Sequence, residues 1–306
     1  MILRLKSVTK DYIWGGTRLR DEYGKNGGAR LAESWELSVH PDGMSVIDGG
    51  EFHGMTLREF IEKFPESTGK NSIGNISVLV KLIDAKENLS VQVHPDNDYA
   101  RKYEGDNGKT EVWYIVDCEE NASLIYGFKE KLTREEFRKA IEENFLLEKV
   151  NTVPVKKGDV FLIRSGTLHA IGKGCLIAEI QQSSNVTYRV YDYDRRDDNG
   201  NSRELHIEKA LDVTNLLAAE IPVQKREKNG ILCKCEYFTL SCEDISGSGI
   251  EHLNDDSFTH VMILEGRGEI ISENDSHTAE KGESFFVSAG TKWQIKGNCS
   301  IIYTVV

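Results

Sequence analysis

The spacing of apolar and polar residues divides the chain into many short strands and a few short helices. In PVKKGDVFLIRSGTLHAIGK at 154–173, a charged turn at Gly158-Asp159 precedes the apolar run Val160 to Ile163. A second turn at Ser165-Gly166 leads into the alternating stretch Thr167 to Ile171, which predicts two tightly joined strands with His169 on the face opposite Leu168 and Ala170. SVQVHP at 90–95 puts Gln92 and His94 on one strand face, and Pro95 ends or edges that strand. ISVLVKLID at 76–84, KTEVWYIV at 109–116, Ala122 to Gly127 and Leu176 to Gln181 read as further strands. Helical spacing is rarer. Leu57, Phe60, Ile61 and Phe64 follow a capping box formed by Thr56 and Glu59, and Phe137, Ala140, Ile141 and Phe145 follow one formed by Thr133 and Glu136. The second helix reads as an insertion covering one end of a barrel, with its charges on a wet face. ELHIEKALDVTNLL, from Glu204, reads as irregular and leads to a connector at Pro222.

From about Gly230 the chain is again rich in strands, and ESFFVSAGTKWQIKG echoes VFLIRSGTLHAIGK. Gly290-Thr291 matches Gly166-Thr167, and Trp293 stands where His169 would be. This repeat predicts two related barrels, 1–225 and 226–306, the second without the histidine. A chain of 306 residues is long enough for both.

Composition narrows the partners. A formal charge of -12, from 50 acidic and 38 basic residues, gives no general attraction to nucleic acid or to an anionic membrane. An anionic small substrate therefore needs a local positive pocket. MILRLKSVTKDYIWGG is too polar after Leu5 to be the core of a signal peptide, and no run approaches the roughly 20 apolar residues of a membrane span, so a cytoplasmic location is expected. Cys118, Cys175, Cys233, Cys235, Cys242 and Cys299 lie mostly in apolar runs without the paired spacing of a structural zinc module, and read as reduced thiols.

Candidate chemistry gathers on the predicted strand faces. His94, Glu111 and His169 would suit zinc or another borderline divalent ion if the fold brings them together, with Gln92 as an additional oxygen donor. The competing reading makes them hydrogen-bonded polar residues at strand ends. Arg189, Arg195 and Arg196 are clustered enough to meet an anion, against surface pairing with Asp192, Asp194, Asp197 and Asp198. Trp14-Gly15-Gly16 reads as a packed turn or as a close backbone approach to a ligand. His40, before a proline turn, reads as structural, and His260 as a hydrogen-bonded barrel histidine rather than a ligand.

The order of WGG at 14–16, ESWELSVHP at 33–41, SVQVHPDNDYA at 90–100, GKTEVWYI at 108–115, LIYGF at 124–128, GTLHAIG at 166–172 and SSNVTYRVYDYDR at 183–195 is distinctive. With these motifs the chain resembles the short bacterial form of type I mannose-6-phosphate isomerase (phosphomannose isomerase) over essentially its full length. The resemblance implies a mainly β protein of two cupin barrels, each a double-stranded β-helix or jelly-roll, with a few helical decorations. It also implies a catalytic N-terminal cupin and a metal-free second one. The family metal motif falls on His94, Glu111 and His169, with Gln92 at the amide position, and implies one zinc ion per chain. Arg189 falls on the functional arginine and Lys109 on an active-site lysine. In GKTE, Thr110 stands where many relatives have proline.

The implied reaction is the reversible conversion of mannose 6-phosphate and fructose 6-phosphate through an enediol(ate). In it Arg189 stabilises developing charge, and either Lys109 or metal-bound water is the base; for Lys109 this asks for burial and cationic neighbours that depress its pKa. Lys129 and Arg196 are the candidates for the phosphate. No obligatory protein partner is implied. Another metal-dependent cupin enzyme, such as an iron oxygenase, shares this ligand set, and a sugar-phosphate-sensing cupin without catalysis would keep the pocket.

Overall fold

The computed structural model describes residues 1–197, 199–221, 223–225 and 229–306, so the calls on Asp198 and Pro222 lie outside the described residues. Strands dominate, and the longest helix, Arg134–Glu142, has nine residues. No helix among the described residues is long and apolar enough to cross a membrane.

A seven-stranded sheet, ordered Val223–Lys225, Asp159–Ile163, Glu111–Cys118, Cys175–Gln182, Val78–Ala85, Val8–Gly16, Leu31–Leu37, faces a five-stranded one. The latter runs Val150–Pro154, Ser123–Phe128, His169–Ile171, Val91–Val93, Tyr188–Tyr191. The two are distinct sheets packed face to face as a jelly-roll. Strand alternation sorts the side chains: Ile83, Trp113, Ile115, Phe161 and Ile177 meet Leu124, Tyr126 and Ile171 between the sheets. Val80, Leu82, Val112, Tyr114, Ala178 and Ile180 point the other way, into a core shared with Leu240, Met262 and Phe286 of the C-terminal segment.

That segment supplies six strands of an eight-stranded antiparallel sheet, the other two being Ile2–Lys6 and Val46–Ile47, with its own interior of Val261, Ile263, Phe285, Trp293 and Ile301. Ile2–Lys6 pairs with Ser284–Val287 in this sheet, so sheet membership crosses the division at 225/226 at the very start of the chain. The repeat seen in the sequence has a backbone counterpart. Gly166 and Gly290 both adopt positive φ, 81° and 73°, and each turn delivers the strand that begins at His169 or Trp293.

Both predicted capping boxes form, at Thr56/Glu59 and Thr133/Glu136. The Arg134–Glu142 helix covers the outer face of the five-stranded sheet rather than a barrel end: Phe137, Ala140 and Ile141 pack there with Val91, Val93, Leu168 and Ala170. The stretch read as irregular contains the helix Ile207–Val213, whose Ala210 and Leu211 are buried in the same cluster. Its apolar stripe spans barely two turns, too short for periodicity to stand out.

Candidate active site

Two strand starts and one strand end bring the metal-type residues together. Glu111 and His169 are the first residues of their strands, and His94 follows directly on Val91–Val93. All three are buried, and one ligand atom from each lies within 4.8 Å of the others. His94 Nε2 is 3.6 Å from Glu111 Oε2, and His169 Nε2 is 3.4 Å from Glu111 Oε1.

Backbone carbonyls set the imidazole tautomers. His94 Nδ1 lies 2.8 Å from the Val186 carbonyl and His169 Nδ1 2.8 Å from that of Thr167. A carbonyl only accepts, so each Nδ1 carries the proton and each Nε2 lone pair faces the cluster. Burial, with Lys109 and the other imidazole, holds His94 well below the usual histidine range, and burial brings His169 down to about 4, so both rings are neutral, the form that ligates. Burial and the charge of Glu179 raise the Glu111 carboxyl. Glu111 Oε1 and His169 Nε2 are buried without a hydrogen-bond partner, while Glu111 Oε2 meets the Lys109 ammonium. Such atoms are costly unless a cation meets them, so the donor set fits a divalent ion.

Gln92 sits opposite His169 in register and Arg189 opposite Gln92, so His169, Gln92 and Arg189 form one row across three strands, about 4.8 Å apart per step. Gln92 Oε1 also accepts from Ser90 Oγ at 3.3 Å. Lys109 Nζ reaches Glu111 Oε2 at 2.5 Å, His94 Nε2 at 3.2 Å and Glu179 Oε1 at 3.6 Å. Two of these neighbours are carboxylates, where the base reading asked for cationic ones. Thr110 uses the N–H that proline would lack, donating it to Gln182 Oε1 at 2.9 Å.

A cleft of about 270 Å³ lies next to the cluster, reached through Lys109 and Gln92. Gln92, Lys109 and Arg189 line it with Trp14, Lys81, Glu179 and Arg203. Trp14 is thus both packed and part of the wall, and Gly15 is required by packing, because a Cβ there would sit 2.7 Å from the Ala32 backbone. Arg189 donates to Ser90 Oγ at 3.2 Å and to the Glu204 carbonyl at 2.9 Å, and forms no ion pair among the described residues. Burial and the charges of Arg203 and Arg195 lower its pKa, the signature of a crowded cationic wall.

The arginine cluster divides. Arg195 and Arg203 both pair with Asp192, at 2.5 and 2.6 Å, and only Arg203 of these two lines the cleft. The two phosphate candidates do not reach it. Lys129 Nζ donates to the Glu148 carbonyl at 2.9 Å and Arg196 Nη1 to the Gly200 carbonyl at 2.9 Å, both on exposed turns. Sequence reasoning missed Lys81, Glu179 and Arg203. The signal for the first two was a charge inside an otherwise apolar strand, ISVLVKLID and CLIAEIQQ.

The C-terminal sheet offers no equivalent cluster among the described residues. Trp293 is buried there, stacked on His252 at 4.3 Å, and His252 Nε2 pairs with Glu243 Oε2 at 2.9 Å. His260 is buried too, yet its Nε2 lacks the hydrogen bond expected of it.

Comparison with known proteins agrees with this architecture. Residues 2–125 match the family model "Phosphomannose isomerase type I, catalytic domain", and residues 228–306 match "Mannose-6-phosphate isomerase, cupin domain". The chain is 40% identical to a mannose-6-phosphate isomerase of Streptococcus mutans, over 98% of this chain and 96% of that one. The crystal structure of the mannose 6-phosphate isomerase from Bacillus subtilis superposes with a TM-score of 0.92 at 38% identity, covering 100% of this chain and 99% of the other. A phosphomannose isomerase variant from Salmonella typhimurium, 16% identical, shares the fold with a TM-score of 0.82 over 99% of both chains.

Proposed function

This chain belongs to the mannose-6-phosphate isomerase family, and we propose that it interconverts mannose 6-phosphate and fructose 6-phosphate in the cytoplasm with one zinc ion per chain. The observation that carries the reading is the buried His94, Glu111 and His169 cluster with its unpartnered Glu111 Oε1 and His169 Nε2, joined through Lys109 to a cleft that Arg189 and Arg203 also line. In this reading residues 1–225 supply the catalytic unit and 226–306 a metal-free one. His94, Glu111 and His169 hold the ion, and Gln92 adds an amide oxygen or orients a ligand. Zinc, when bound, supplies a Lewis acid that polarises the sugar oxygens.

The chain's own groups do the rest. Isomerisation moves a proton between neighbouring carbons while negative charge develops on oxygen. Arg189, next to Gln92 in the same row and without an ion pair among the described residues, meets that charge with fixed donors. Lys109 is the ionisable side chain that both lines the cleft and touches the ligand cluster, so it holds or moves the proton at the reacting oxygens and carbons. Arg203, clamped by Asp192, presents its guanidinium to the phosphate end.

The test is conversion of mannose 6-phosphate, followed by fructose 6-phosphate formation, before and after chelation and after zinc return. Activity should vanish on chelation and return with about one zinc per chain. Full activity in metal-free protein would end the zinc reading, and sugar-phosphate binding without turnover in zinc-loaded protein would favour a sensing cupin instead.

A further inference from the structure

The segment 183–186 holds His94 by its Val186 carbonyl, and it is itself held from outside the ligand set. Asp106 is one of its anchors, beside the Ser77 carbonyl, which accepts from the Ser183 N–H at 2.7 Å. The Asp106 Oδ2 accepts from Ser184 Oγ at 3.3 Å and from the Asn185 backbone N–H at 3.3 Å, while Oδ1 accepts from the Asn107 N–H at 2.7 Å. Ser184 is fully buried, and its hydroxyl oxygen also accepts from the Val186 N–H at 3.3 Å, one residue's backbone away from the carbonyl that fixes His94. Asn107 Nδ2 donates to the Ser183 carbonyl at 3.2 Å, and Gln181 Nε2 to that of Ser184 at 2.7 Å. The turn bearing Asp106 runs straight on to Lys109 and Glu111. His40 stands behind the carboxylate, with Nε2 3.7 Å from Asp106 Oδ2 and Nδ1 accepting from the Asp42 N–H at 3.2 Å. Asp42 in turn accepts from Asn185 Nδ2 at 2.8 Å. The histidine of ESWELSVHP is therefore structural in a specific sense: it backs the carboxylate that braces a ligand-orienting segment.

We propose that Asp106 is a positioning residue for the metal centre, setting the orientation of His94 through Ser184, Asn185 and the Val186 carbonyl. The chemistry is that of an outer hydrogen-bond shell. A ligand imidazole whose Nδ1–H partner shifts loses its aim, and such partners are worth about 10- to 100-fold in metal affinity. Asp106 itself touches neither the cleft nor any ligand atom, so it acts only through the segment. This inference rests on the metal reading above.

The experiment measures zinc affinity by competition with a chromophoric chelator, alongside thermal unfolding of the metal-free protein. Asp106→Ala should weaken zinc binding about tenfold or more while the metal-free unfolding temperature stays near that of the parent. Asp106→Asn retains an acceptor oxygen and should recover most of the affinity. Unchanged affinity in folded Asp106→Ala overturns the proposal, as does an asparagine variant as weak as the alanine one. If Asp106→Ala fails to fold, Ser184→Ala takes its place, since it deletes the hydroxyl relay while leaving the carboxylate. A weaker zinc affinity in Ser184→Ala supports the proposal, and an unchanged one overturns it. Failure of the parent protein to bind zinc would instead sink the metal reading itself, a distinguishable result.

Discussion

Replacing Arg189 tests the chemistry separately from the metal site. The guanidinium spans two fixed partners, Ser90 Oγ through Nε and the Glu204 carbonyl through Nη1, and lies beside Arg203 in the cleft wall. No hydrogen bond ties it to His94, Glu111 or His169, so its loss should leave zinc in place. In the proposed mechanism Arg189→Ala removes a charged donor for developing negative charge, which should cost about 100-fold in kcat by comparison with lost oxyanion donors, or about 2.7 kcal/mol of barrier. Arg189→Lys keeps the charge but satisfies only one of the two partners and loses the planar fork. About half of that barrier should return, leaving roughly a tenfold deficit. The assay is steady-state conversion at saturating mannose 6-phosphate, with zinc content and circular dichroism measured on the same preparations. Near-normal kcat in both folded variants would refute the catalytic role. Parallel loss of zinc and activity would refute it too, showing that Arg189 supports the site's structure instead.

Three further outcomes are expected. His169→Ala should lose zinc by elemental analysis while near-ultraviolet circular dichroism of the C-terminal sheet persists, because Trp293, His252 and Glu243 form a separate cluster. Arg203→Ala should raise the KM for mannose 6-phosphate about tenfold or more by loss of charge-assisted hydrogen bonds, whereas Lys129→Ala and Arg196→Ala should leave it within about twofold. Burial, with the nearby Lys25 ammonium, holds the His260 pKa down to about 3, so the unfolded chain takes up this proton first, and the stabilisation present above about pH 6.5 drains away as pH falls toward 3. His260→Leu should therefore flatten the acid limb of denaturant-derived stability below pH 6, and an unchanged limb would remove His260 as a contributor.

The sequence made the ligand strands legible because their signal is local. Parity alone put Gln92 with His94 and separated His169 from Leu168 and Ala170, and the structure keeps both relations. What parity does not reveal is which polar residues meet across strands. Lys81 and Glu179 are directly opposed in register, yet 98 positions apart in the chain, so their pairing exists only once the strands are ordered. The distance of the two phosphate candidates from the cleft has the same reason. Lys129 and Arg196 lie close to predicted strand ends in sequence, but turns carry both away from the cleft, while Arg203 is brought in by Asp192 from a stretch without periodicity. The capping boxes were readable because their partners lie three residues apart.

The buried charges explain why an acidic chain can take an anionic substrate. Across the inner face, Trp35, Lys81, Glu179 and Trp113 are consecutive register partners, and the indoles donate to Glu33 and Glu179 at 2.8 and 2.9 Å. Lys81 bridges Glu33 and Glu179 at 3.5 and 3.4 Å, and Lys109 bridges Glu179 and Glu111 at 3.6 and 2.5 Å. Carboxylate and ammonium thus alternate from Glu33 to Glu111, three of one against two of the other, so the ladder as a whole carries one net negative charge. A divalent ion bound at the cluster would reverse that sign. Arg189 and Arg203 then add to a positive field confined to this cleft, whatever the charge of the outer surface, since low-dielectric walls focus it. Removing Lys81 would leave Glu33 and Glu179 facing each other without the cation that bridges them, a perturbation one carboxylate away from the Lys109 that contacts Glu111.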